Sequence, residues 1–242
     1  MSEQQFLATL EKAQRNGRIV SLWLRDDDAV EPTDALEMLL TLTATHAVPL
    51  TLAVIPEHTG QALAERLDRE SHLTVTVHGW SHHNYAPSSE KKQELGLHRP
   101  LDQVLRELAA GRQKLAELHG TRFTPTLVPP WNRIAPTVVK QLQEIGYEAL
   151  SVFGREKSGP LPLLNTHLDI MDWHGTRGGR DADVLFAELA GLISQPDPLK
   201  AIGVLTHHLV HDEKAWWFLE RLFALTADHP ACRWQRSETL LL

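Results

Sequence analysis

The sequence holds a single cysteine, Cys232, in 242 residues, so no disulfide can form within the chain and stability has to come from packing. It also lacks a basic excess. Lys and Arg number 24 against 31 Asp and Glu, for a formal net charge of -7. With no clustered basic stripe, a nucleic-acid partner bound by phosphate neutralisation is excluded. No apolar run is long enough to span a bilayer. The most apolar window, Leu36–Ile55, is interrupted by Thr41, Thr43, Thr45, His46 and Pro49, and reads as a helix followed by a strand. Met1–Leu10 has neither the basic nor the apolar region of a leader, and the expected location is the cytoplasm.

Low-complexity tracts and internal repeats are missing too. With 42% apolar residues, the length suits one α/β domain covering 1–242. What the chain has in excess is histidine, 14 residues, the side chain that most often serves as metal ligand and proton carrier.

Seven short apolar runs read as strands: Ile19–Arg25, Leu50–Ile55, Leu73–His78, Pro125–Pro129, Tyr147–Val152, Thr166–Ile170 and Ala201–Thr206. Most are separated by segments of helical period. These are a run after Pro32 through Leu42, a short helix near Gln61–Leu67, a leucine stripe from Leu101 to Leu118, and then Ala135–Ile145, Ala182–Ile193 and Glu213–Leu225. Alternation of this kind implies a parallel sheet. Seven units favour a closed or nearly closed barrel, with a doubly wound open sheet as the alternative. The stretch from Gly79 to Arg99 has no apolar period, and a loop of that length is often functional.

The polar clusters recur at one kind of place. Asp26-Asp27-Asp28, His78, Pro129-Pro130-Trp131-Asn132 and His207-His208 each end a predicted strand, which in a βα barrel is the rim that carries active sites. Taken singly, each has an ordinary explanation in helix capping or strand termination. Together on one rim they favour a site. His78-Gly79-Trp80-Ser81-His82 spaces two imidazoles to reach one ion, and a nearby carboxylate would complete three ligands while leaving positions open for water and substrate.

An Asp pair after a strand, His-x-x-x-His, Pro-Pro-aromatic, Asp-Trp and a late Leu-x-His occur here in the order seen in polysaccharide deacetylases, the carbohydrate esterase family 4 group, which the chain resembles over about Ile19–His207. The resemblance implies a distorted (β/α)7 TIM-like barrel and hydrolysis of an acetamide on an N-acetylated sugar. It assigns Asp27 as general base and Asp28, His78 and His82 as ligands of a divalent metal. That metal would be Zn2+ first, with Co2+, Ni2+ or Mn2+ as alternatives. Asp26 with Asp27 is the other register. His207 would protonate the leaving amine, with His208 as rival. Pro130, Trp131, Asn132 and Trp80 would bind substrate or the oxyanion, and Asp172, Trp173 and Arg133 would support them.

One departure stands out. The family places an arginine just before its prolines, to orient the base, and this chain has Val128. Arg133, Arg25 or an arginine in Arg177–Arg180 is the candidate replacement. Two other functions remain open: a metal-dependent hydrolase of a non-sugar amide or cyclic imide, and a degenerate barrel that only binds.

Overall fold

The computed structural model describes residues 2–241. In chain order the elements are α1 (Ser2–Arg15), β1 (Val20–Ala29), α2 (Asp34–Thr45), β2 (Leu50–Val54), α3 (Gln61–Leu67), β3 (Leu73–His78), α4 (Leu101–His119), β4 (Phe123–Val128), α5 (Pro136–Val139), β5 (Ala149–Leu150), β6 (Leu168–Asp169), α6 (Ala182–Ile193), β7 (Ile202–Thr206), α7 (Glu213–Thr226), β8 (Cys232–Trp234) and α8 (Ser237–Leu241). Every residue of β2, β3 and β7 is buried. That is why these strands read as continuous apolar or Thr-Val runs without polar alternation: helices cover their outer faces.

All strand pairs are parallel, in the order β5-β4-β3-β2-β1-β7-β6, and β8 adds to the start of β1. Two isolated parallel bridges, Leu150 with Leu163 and Phe153 with Thr166, join the β5 segment to the stretch that leads into β6. The barrel is therefore the distorted (β/α)7 form, irregular where no helix separates β5 from β6.

The helices begin where their sequence allows. Thr33, Asp181 and Asp212 cap α2, α6 and α7, each side chain accepting from a backbone N–H three residues on. The expected helix over 135–145 shrinks to Pro136–Val139 and continues as i→i−3 turns, Gln141 to Val138 and Leu142 to Val139. The run Thr137-Val138-Val139 is β-branched, which weakens a helix that short. Beyond the predicted elements, α1 buries Phe6, Leu10 and Ala13. Phe6 meets Phe186 of α6 with ring centroids 5.4 Å apart. A large cluster of buried apolar side chains runs from Phe6 to Ala231 between sheet and helices, and a smaller one gathers Trp23, Leu164, Ala201 and Leu240. No helix among the described residues is long and apolar enough to cross a membrane.

Candidate active site and metal centre

In a pleated strand successive side chains take opposite faces, so three consecutive aspartates cannot share one. On β1, Arg25 and Asp27 fall on the inner face and Asp26 on the outer. The register against β2 then slips. Asp26 pairs Leu52 while Ala29 pairs Val54, which sets two β1 residues against one and makes a bulge. Asp28 sits in it with φ 74° and is turned to the barrel mouth. The three carboxylates thereby reach three different partners.

Asp28 Oδ1 lies 3.0 Å from His78 Nε2 and 3.3 Å from His82 Nε2. Nδ1 of His78 is 3.0 Å from the Val128 carbonyl, an acceptor only, so Nδ1 carries a proton and Nε2 is the nitrogen that faces Asp28. Nε2 and the carboxylate oxygen face each other at a distance that calls for a cation between them, the ring's own proton or a metal. Asp28 Oδ1 is buried and has no hydrogen-bond partner. Ligand bonds of about 2.0–2.2 Å at tetrahedral angles put donor atoms roughly 3.3 Å apart, close to the spacing here. All three donor atoms lie within 4.8 Å of one another. The residues fit a divalent metal.

The local charges follow suit. Burial alone would raise the Asp28 carboxyl, but the adjacent His78 ring, with His82 and His207, holds it well below the usual carboxylate range. Burial pushes His82 down to about 4, helped by the charge of His78, so its lone pair is free at neutral pH. His78 is also pushed down by burial, but Asp27 and Asp28 outweigh that and leave it raised.

Asp27 is gripped by Arg25. Nη2 donates to Oδ2 at 3.1 Å, and Nε lies 2.9 Å from Oδ1. The guanidinium, 0% exposed, reaches across the barrel interior to Ser151 Oγ (2.7 Å) and Asn132 Oδ1 (3.0 Å). The arginine that Val128 leaves out is thus supplied from β1, two residues before the carboxylate it holds. Val128 contributes its carbonyl instead, accepting from both His78 Nδ1 and Gly79 N. His207 Nε2 lies 4.0 Å from Asp27 Oδ2, and the His207 ring meets the Trp173 ring edge-on at 4.7 Å.

Asp26 belongs to another assembly. On the outer face its Oδ1 is 2.5 Å from His208 Nδ1, and its Oδ2 accepts from the His208 backbone N–H at 2.8 Å, with both side chains fully buried. His208 is therefore occupied away from the mouth. Burial works against its charged form, but the Asp26 charge prevails and raises its pKa.

Several expected positions lie elsewhere. Asp172 accepts from Gly175 N and Thr176 N in its own turn and does not touch Arg25. The neighbouring carboxylate is Asp169, at the end of β6, whose Oδ2 accepts from Trp173 Nε1 at 2.8 Å. Burial raises Asp169 against the opposing charge of His207. The strand-end rule that found the other clusters also points to Asp169, whereas the Asp-Trp dipeptide points to Asp172. Arg133 donates to the Lys92 carbonyl at 2.8 Å, away from Asp27. Trp80 leans toward α4, where a Cβ added at Gly111 would come within 3.4 Å of its ring, so packing explains it. Asn132 holds Arg25. Pro130 packs on Gly79. Trp131 reaches the mouth, its ring 4.4 Å from that of His82.

Asp28, His82, Trp131 and Asn132 are four of the six non-glycine residues with positive φ among those described. Such backbone costs on the order of 1–3 kcal/mol per residue and persists where the surroundings over-determine it, characteristically at functional sites.

Comparison with known proteins agrees with this fold. Among solved structures, a polysaccharide deacetylase-type protein from Mycobacterium smegmatis superposes with a TM-score of 0.67 at 16% identity, covering 93% of this chain and 90% of that one. The peptidoglycan N-acetylglucosamine deacetylase Bc1960 gives 0.62 at 16% identity, covering 95% and 96%. A family 4 acetyl xylan esterase from Clostridium thermocellum, solved with a cobalt ion, gives 0.58 at 17%, covering 91% and 89%. At such identities the likeness speaks for the fold. No curated protein sequence matches significantly. The sequence profile of the polysaccharide deacetylase family, however, matches residues 13–150, more than half of the chain and the part that carries Asp27, Asp28, His78, His82 and the Pro-Pro-Trp turn; the chain belongs to that family.

Proposed function

We propose that the protein is a metal-dependent deacetylase that removes the acetyl group from an N-acetylated sugar. The observation that carries this reading is the convergence of two imidazole nitrogens on Asp28 Oδ1, beside an Asp27 locked by Arg25. Asp28, His78 and His82 would hold the metal, Zn2+ before Co2+, Ni2+ or Mn2+. When bound, it supplies Lewis-acid polarisation of the acyl oxygen and makes water a better nucleophile.

The remaining steps belong to the chain's own groups. Asp27, its orientation fixed by Arg25, takes the proton of the attacking water, and the backbone N–H at Trp131 donates to the oxyanion. His207 gives its proton to the departing nitrogen. Trp173 steadies the His207 ring while bonded to Asp169. A carboxylate and an imidazole divide base and acid work at one pH.

The Bc1960 enzyme and the Clostridium esterase act on acetylated carbohydrate by their names, which supports the same substrate class here. A lone cysteine favours the cytoplasm, where a small or nucleotide-linked acetamido sugar is a better substrate than wall polymer. All 242 residues are read as one catalytic domain. Acetate release from a panel of N-acetylated amino sugars and their oligomers, with Zn2+, Co2+, Ni2+ or Mn2+, tests the proposal. Metal uptake without acetate release from any of them would overturn the sugar substrate and turn the search to other amides and cyclic imides.

A further inference from the structure

His82 has to hold its ring beside Asp28 from within the stretch between β3 and α4, where no helix or regular strand forms. Glu94 supplies what a regular element would. It is 1% exposed, yet neither the metal reading nor the proton-transfer steps use it. Its Oε1 accepts from the backbone N–H of Trp80 (3.2 Å) and Ser81 (2.8 Å) and from Ser81 Oγ (3.1 Å), and its Oε2 accepts from His82 N–H (3.2 Å). Three consecutive N–H groups converging on one anion form a nest, which requires residues with positive φ. Gly79 (φ 60°) and His82 (φ 57°) flank it.

The fit leaves no room to spare. A Cβ at Gly79 would come 2.2 Å from Glu94 Oε2 and 2.7 Å from the Pro130 ring, so the glycine of the His-Gly-Trp-Ser-His segment is where this carboxylate enters. The other side of Glu94 is anchored too. Leu95 bridges Ile134, and its carbonyl accepts from Ala135 N at 2.8 Å, just after the Trp131 turn. Glu94 and Leu95 together thus tie the histidine loop to the loop that follows the neighbouring strand β4.

We propose that Glu94 is a positioning residue for the metal: it fixes the strained backbone at His82 so that this ligand stays on Asp28 and His78. The inference rests on the metal reading above. Groups that orient ligands in this way typically set metal affinity by about 10–100-fold. Glu94→Gln keeps the shape but turns an amide N–H2 toward the nest donors. Co2+ titration followed by visible absorption should show affinity lower by about that factor, with the metal-free variant folded by circular dichroism. Thr226→Val, which removes the hydroxyl that Trp234 Nε1 donates to in α7, serves as a control: it should lower stability and leave Co2+ affinity unchanged. Wild-type affinity in Glu94→Gln overturns the proposal. Should that variant not fold, Ser81→Ala carries the test by removing one of the four donors; a several-fold weaker site is expected, and an unchanged one overturns the proposal. Wild-type protein that takes up no Co2+ at all would instead overturn the metal reading itself, before any variant is compared.

Discussion

Two aspartate–histidine assemblies leave the end of β1 on opposite faces of the barrel, and they are built to opposite ends. On the outer face Asp26 and His208 are fully buried, and both Asp26 oxygens are satisfied by one residue. On the mouth side Asp28 and His82 keep 28% and 24% side-chain exposure, and Asp28 Oδ1 has two imidazoles near it but no hydrogen bond. The same two residue types give a closed pair that can only hold structure and an open cluster whose valence is unspent. What separates them is access and satisfaction.

The most severe way to break the mouth assembly is Asp28→Asn, which removes the ligand charge; acetate release should fall on the order of a thousandfold or more, with metal lost in a dialysis assay. Arg25→Lys keeps a charge but cannot reproduce the two-pronged grip on Asp27, and kcat should drop about a hundredfold with KM little changed. Asp26→Ala breaks the outer pair instead. Leaving His208 buried without its partner should cost about 3–5 kcal/mol in denaturant unfolding, while Co2+ affinity stays near wild type. If Asp26→Ala abolished metal binding, the division between the two assemblies would fall.

The pairs should also separate by pH. A raised His208 pKa means that its stabilisation is complete below the unfolded value of about 6.5 and is lost as pH rises through the folded value. Thermal unfolding of the metal-free protein across that range should follow this trend, and His208→Gln should flatten it. At the mouth the direction is reversed. Metal affinity should weaken as pH falls through the raised His78 value, because the ring has to release its proton to bind. The smallest effect belongs to Asp172→Asn, whose carboxylate serves only its own turn; activity should stay within about twofold, whereas Asp169→Asn should lower it more.

Much of this was legible before any coordinates. The strand runs place His78 and His207 at strand ends because buried parallel strands are apolar until they reach the rim. Local spacing was enough to bring His78 and His82 together beside one carboxylate. What could not be read is whatever depends on partners distant in sequence. Arg25 meets Asn132 and Ser151 across the barrel, contacts separated by more than a hundred residues. Glu94 is one of two acids in an aperiodic loop until its nest is seen. Asp172 outranked Asp169 because a dipeptide motif carries no record of which way a turn faces. Nor does composition separate Trp80, which leans on a glycine of α4, from Trp131, which stands at the mouth.

The bulge in β1 has a consequence for how this segment tolerates change. Asp26, Asp27 and Asp28 are chemically one letter written three times, and the slipped register gives each a different address: outer wall, arginine, the two imidazoles at the mouth. Replacing any one alters a single address, but deleting one residue would shift the whole reading frame of the strand. The carboxylate meant for the mouth would then point into the wall, and the sequence would still contain two aspartates and both histidines. An alignment that counts motif letters would score such a chain as intact; only the pleat would tell that its carboxylate had left the two histidines.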